Sequence, residues 1–224
     1  MKKSLSLLLA FILMLSLAAC ASAETLPSGS GQPLPEATEQ PRPSAEELSQ
    51  TKLALERTEE PAFSNFKSVA LTGEAVDQSI FADHRLTMIN IWGTYCNPCI
   101  SEMPALGDLN REYEEGEFQV IGMIVDMLQS DGGVHPMAVE AAWAIIDATG
   151  ADYMHLLPTD DIILMKLQYL TAVPETIFVD SQGNILTPDT PYLGARSYED
   201  WKAIIDGLLA DLPEETAQPA DAEA

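Results

Sequence analysis

The stretch Asn90-Ile91-Trp92-Gly93-Thr94-Tyr95-Cys96-Asn97-Pro98-Cys99-Ile100-Ser101-Glu102-Met103-Pro104 constrains this chain more than any other. It begins as the end of an apolar strand, Met88 to Trp92, turns at Gly93-Thr94, and enters a helix whose first turn carries two cysteines. Residues three apart in a helix share a face, one turn from each other. The spacing of Cys96 and Cys99 therefore allows a small, reversible disulfide ring. The first sulfur falls where a helix leaves its N–H groups unpaired, and the partial positive charge there favours a thiolate. The thiolate is the species that attacks disulfides, so Cys96 is the expected nucleophile and Cys99 the residue that resolves. Pro98 suits the first turn because its missing N–H costs nothing there.

The same stretch resembles the active site of thioredoxin-fold proteins. More closely it resembles the extracytoplasmic TlpA/ResA type of thiol-disulfide oxidoreductase, in the AhpC/TSA-redoxin superfamily. Trp92, Gly93, Thr94, Tyr95, the Cys96-Asn97-Pro98-Cys99 motif, Glu102 and Pro104 carry the resemblance, which runs from about Pro61 to about Leu209. It implies an α/β, thioredoxin-like fold: a mixed central sheet flanked by helices, with an extra N-terminal β-hairpin and an inserted helix.

The residue pattern leads to the same class. Pro61 to Val76 reads as a hairpin with a turn at Thr72-Gly73-Glu74, and Ser79 to His84 as a helical turn. Leu86 to Trp92 and Phe118 to Asp126 are dense apolar runs of buried-strand type. Helices are predicted from Cys96 to about Glu115, Pro136 to Thr149, Asp160 to Leu170 and Tyr198 to Leu209. Short strands are predicted at Tyr153 to Leu157 and Glu175 to Asp180, the latter pairing through a turn with Ile185 to Thr187. Trp143 and the methionines are expected to fill the core. Alternating strands and helices ending in a hairpin and helix make an α/β domain, placed at 61–212 and followed by an acidic, frayed tail at 213–224.

The N-terminal part reads differently. Residues 1–20 hold Lys2-Lys3, the apolar run Leu5 to Leu17 and then small residues, as in a secretory signal. Leu17-Ala18-Ala19-Cys20 resembles a bacterial lipoprotein signal, which implies a diacylglycerol on Cys20 and an anchor on the cell membrane. An ordinary signal cut near Ala21-Ser22-Ala23 is the alternative. Residues 21–60 read as a disordered linker rich in proline and glutamate, with a root-mean-square reach of roughly 35 Å. A short helix over Ala45 to Arg57, capped by Ser44, is expected not to pack.

With 35 acidic against 11 basic residues and a net charge of -24, the chain is a poor candidate for nucleic acid. Of the three cysteines, Cys20 belongs to the signal, which leaves one pair for redox work. That pair lacks the second ligand pair a zinc site needs, since His84, His135 and His155 are scattered singly. A bridge across three residues closes too little loop to serve stability. No metal is expected, and no cofactor beyond the Cys96-Cys99 disulfide.

Other roles come from the resemblance. Pro174 stands where that family has a cis peptide bond facing the sulfurs, with the backbone of Val173 offered to a substrate. Glu102 stands where the family has a carboxylate in the active-site cavity, from which it can pass a proton to Cys99. Asn90 replaces the buried aspartate of thioredoxin itself. Trp92 and Tyr95 are expected at the rim. Asn97-Pro98 lacks the histidine of strong oxidants, which favours a reductant. The implied partners are disulfides of exported proteins (apocytochromes c or a methionine sulfoxide reductase) as acceptors and a CcdA-type membrane thiol transporter as donor. A peroxiredoxin-like peroxidase would need a threonine where Gly93 stands. A Sco-type copper carrier would need a wider cysteine spacing and a histidine.

Overall fold

The computed structural model describes residues 41–186 and 190–213. The expected signal at 1–20 with Cys20, the first half of the expected linker, Thr187 and the tail beyond Pro213 lie outside the described residues.

Five strands form the central sheet: β3 (Leu86–Trp92), β4 (Phe118–Ile124), β5 (Met154–Leu156), β6 (Glu175–Asp180) and β7 (Tyr192–Leu193), in the order β5-β4-β3-β6-β7. β3, β4 and β5 run parallel, while β6 and β7 are antiparallel to their neighbours. This is the mixed sheet of a thioredoxin-like fold. The predicted hairpin is present as β1 (Lys67–Val69) and β2 (Ala75–Asp77). Its continuation, Ala70-Leu71, docks on β5: the Leu71 N–H donates to the His155 carbonyl at 2.7 Å. The hairpin thus covers what would otherwise be an open sheet edge.

Side chains alternate along β3, so the strand feeds two cores. Met88 and Trp92 face the active-site helix α2 (Asn97–Glu112), α3 (Pro136–Thr149) and α5 (Tyr198–Asp211). Ile89 and Ile91 face the other way, onto Phe63, Phe66, Phe81 and Ile162 of α4 (Asp160–Met165). A strand buried on both sides reads as a continuous apolar run, which is why Leu86 to Trp92 and Phe118 to Ile124 were legible.

The structure corrects four expectations. The segment assigned to a non-packing linker carries α1 (Ala45–Ala54), which does pack: Leu48 is fully buried in the core beside α3. Ser44 and Glu47 close a capping box, the Val134 N–H donates to Ser49 Oγ, and Arg42 pairs with Asp147. The domain therefore begins by residue 41, not 61. Trp143, expected as core filling, is only half-buried and lies under the Arg42 guanidinium, 4.3 Å from its ring centre. Finally, α4 ends at Met165, and Leu167–Tyr169 form a 3₁₀ turn, because Lys166 leaves helical geometry to reach Glu175. The expected partner strand from Ile185 reduces to a single bridge with Val179, and the unpredicted β7 pairs with the start of β6 instead.

Leu48→Ala should cost about 3 kcal/mol, read by urea unfolding, while Leu53→Ala on the exposed side of the same helix should stay within about 0.5 kcal/mol. Equal effects would mean that α1 is not docked.

Candidate active site

β3 ends at Trp92, and Gly93 to Tyr95 turn the chain into α2. The turn is pinned by Asp126, just beyond β4: its carboxylate accepts the Thr94 N–H at 3.0 Å and the Thr94 hydroxyl at 2.5 Å. Cys96 occupies the N-cap of α2, where its sulfur accepts the Cys99 N–H at 3.2 Å. That is the role a capping oxygen plays elsewhere, and the same contact, with the helix terminus behind it, stabilises negative charge on this sulfur. Cys96 and Cys99 are joined in a disulfide, with Cα atoms 5.3 Å apart. Cys96 is 5% exposed and Cys99 not at all, so an incoming group can meet only the first sulfur.

β3 and β6 are antiparallel, with Ile91 opposite Glu175. The end of β3 therefore lies beside the start of β6, which brings Val173-Pro174 to the edge of the sheet that carries the dithiol. The Val173-Pro174 peptide is cis, as the resemblance implies. Pro174 is buried, Val173 half-buried, and the Pro174 carbonyl accepts the Gly194 N–H at 2.9 Å. Tyr95, 67% exposed, stands at the rim. Trp92 does not. It is fully buried and turned inward, donating its indole N–H to His155 Nδ1 at 3.2 Å, so the expectation of a rim contact to substrate is corrected. The alternation along β3 points this side chain under α2 rather than out of the loop.

A row, buried as far as Thr176, crosses the sheet beneath α2: His155 on β5, Gly122 on β4, Asn90 on β3, Thr176 on β6 and the half-buried Tyr192 on β7 are register partners in turn. Gly122 has no substitute here, because a Cβ would stand 2.1 Å from His155 Nδ1 and 2.9 Å from Trp92 Nε1. His155 Nδ1 accepts from Trp92, so Nε2 carries the proton and donates to the Ala151 carbonyl at 2.9 Å. Burial holds this imidazole neutral, its pKa pushed down to about 4.

Glu102 lies over the middle of the row, one turn beyond Cys99 and 3% exposed. Its Oε1 accepts from Asn90 Nδ2 at 3.0 Å, and its Oε2 from the Arg196 backbone N–H and Trp201 Nε1, both at 3.1 Å. Burial raises its pKa, against the pull of these donors and of the Arg196 charge. A buried carboxyl with a raised pKa beside a thiol is equipped to exchange a proton with it. Asp126, Arg196 and Trp201 escaped the sequence reading, and His155 entered it only as a scattered histidine, since each is a lone residue whose role comes from a distant segment. Among the described residues no three His, Cys, Asp or Glu side chains converge on a metal-sized site, and no helix is long and apolar enough to cross a membrane.

Residues 30–199 match the Redoxin family. The chain is similar to the thiol-disulfide oxidoreductase ResA of Halalkalibacterium halodurans, 24% identical over 149 residues that cover 63% of this chain and 73% of that protein. It is also similar to the ResA of Oceanobacillus iheyensis, 37% identical over 57 residues, 24% of this chain and 30% of the relative. Among solved structures, a thiol:disulfide interchange protein of the thioredoxin family from Chlorobium tepidum superposes with a TM-score of 0.53 and 21% identity, covering 69% of this chain and 99% of that one.

Two stability tests follow from the buried groups. In the unfolded chain His155 regains its ordinary pKa of 6.5, so unfolding takes up a proton between that value and about 4. Stability from this residue is full above pH 6.5 and falls by about 3 kcal/mol as the pH drops through that window; His155→Phe should flatten this part of a urea-midpoint profile. The Lys166–Glu175 ion pair, buried next to Pro174, gives the second. Lys166→Met should cost about 3–5 kcal/mol, by stranding a buried carboxylate, and adding Glu175→Leu should recover most of it.

Proposed function

Since the chain belongs to the Redoxin family, as a thiol-disulfide oxidoreductase of the TlpA/ResA-like type, we propose that it works outside the cytoplasm as a membrane-anchored reductase of disulfides in exported proteins. The observation that carries this reading is the Cys96–Cys99 pair at the mouth of α2, beside the cis Val173-Pro174 peptide. Reduced Cys96 attacks a substrate disulfide as the thiolate. One substrate sulfur leaves and the other stays bonded to Cys96. Cys99 then attacks Cys96 Sγ, closing the observed ring and releasing the second substrate thiol. Two electrons pass from the dithiol to the substrate.

Reduction is favoured over oxidation because Asn97-Pro98 places no cation between the cysteines to over-stabilise the thiolate of the reduced form. The exposed Tyr95, next to Cys96 in the chain, and the backbone at Val173, just ahead of β6, suit an extended polypeptide as substrate. Glu102 serves as acid–base group for Cys99. Anchoring through lipid on Cys20 and recharging by a CcdA-type thiol transporter complete the proposal. Apocytochromes c or a methionine sulfoxide reductase are its acceptors.

In an insulin-reduction assay Cys96→Ser should lose turnover, and Cys99→Ser should accumulate a mixed disulfide visible on a non-reducing gel. Undiminished turnover of Cys96→Ser removes this sulfur from the mechanism. Recovery of only cytoplasmic proteins in the Cys99→Ser trap argues against an exported substrate.

A further inference from the structure

The two oxygens of Glu102 are not equivalent. Oε2 receives the Arg196 backbone N–H and the Trp201 indole N–H, which are donors only, so both of its in-plane lone pairs are taken. Oε1 receives a single donor, Asn90 Nδ2. The second hydrogen of that amide goes to Thr176 Oγ1 at 3.1 Å, across the strand pair. The cost of this arrangement is visible: Asn90 Oδ1 is buried without a partner, a loss the fold accepts in order to aim the amide nitrogen at Glu102. The donors to Oε2 are held in turn. Trp201 is fully buried, and the Arg196 guanidinium lies 4.9 Å from its ring centre and 5.0 Å from that of Tyr192.

We propose that Asn90 is a positioning residue for the thiol step: it aims Glu102 Oε1, the one oxygen left with room for a proton, while Trp201 and the Arg196 backbone keep Oε2 out of the exchange. The inference rests on the reading of Glu102 as acid–base group for Cys99. In the resolving step Oε1 takes the proton from the Cys99 thiol. The Cys99 thiolate attacks Cys96 Sγ, a sulfur–sulfur bond forms within the protein, the bond from Cys96 to the substrate breaks, and the departing thiolate takes a proton from water. The enzyme is oxidised by two electrons and the substrate reduced by two. The other titratable groups around this carboxyl are the Cys99 thiol on its own helix, the Arg196 guanidinium from the segment before α5, and the Tyr153 phenol ahead of β5, whose ionisation burial and the Glu102 charge oppose.

The test is stopped-flow release of nitrothiobenzoate from the Cys96 mixed disulfide, followed against pH, with folding checked by circular dichroism. Asn90→Ala should lower the high-pH plateau about 10-fold and move the acidic limb upward. Trp201→Phe, which keeps the ring and loses only the N–H to Oε2, should also move the limb upward but lower the plateau less than Asn90→Ala does, because Oε1 is still aimed. Thr176→Val releases the anchor of Asn90 without touching Glu102 and should lower the plateau by about 3-fold, which keeps the test open should Asn90→Ala unfold. A wild-type plateau in both Asn90→Ala and Thr176→Val, or a plateau in Trp201→Phe as low as in Asn90→Ala, overturns the inference. Glu102→Gln tells the two readings apart: if the acidic limb survives that substitution, the assignment of Glu102 as acid–base group is what fails.

Discussion

A polar group taken out of water must find a partner in the interior, and in this protein that requirement governs how the active-site helix sits on the sheet. The row His155, Gly122, Asn90, Thr176 and Tyr192 lies on the α2 side of five strands, in a layer otherwise filled by Met88, Trp92, Val120, Ile124 and Phe178. The Asn90 amide nitrogen finds both of its partners only if Glu102 comes down onto it, and Glu102 its own only if Trp201 and Arg196 close from the other side. One set of hydrogen bonds therefore fixes the depth and rotation of α2 against both the sheet and α5. Apolar contacts from Met103, Leu106 and Leu109 supply the adhesion but tolerate small slides, whereas a carboxyl with three donors does not.

The same constraint shapes the chemistry. The start of α2 stabilises charge on Cys96 through an amide N–H and the helix terminus. One turn further in, an ionised Glu102 would oppose a second thiolate at Cys99. Burial raises the Glu102 pKa against the pull of its donors, and the two sulfurs stand in different electrostatic surroundings only one helical turn apart. The disulfide state observed, with the second sulfur sealed from solvent, fits a cycle in which substrates meet Cys96 and never Cys99.

Much of this was legible beforehand where the pattern is local. Doubly buried strands show as apolar runs, and α2 shows through its cysteines and Pro98. The cis bond before Pro174 came by family resemblance, not from composition. What stayed hidden depends on partners far along the chain. α1 has a single fully buried leucine, too faint a stripe to distinguish a docked helix from a solvated one; its contacts to Gly132 and Val134, with the Arg42–Asp147 pair just ahead of it, decide the matter. β7 is two residues long and has no periodicity to read. Trp92 lies next to the motif, and proximity suggested a rim residue, but strand alternation turned it toward His155, which lies 63 positions away.

The amino-acid order by itself determined the fold class and the redox pair. Both follow from short-range rules, the side-chain alternation of strands and the unpaired amides at the start of a helix, that act within a few residues. Only the tertiary structure decided which groups surround the pair, because desolvation and hydrogen-bond satisfaction are properties of a place in space. Glu102 is an ordinary helical glutamate until Asn90, Arg196 and Trp201 arrive from three other parts of the chain and exclude water from it.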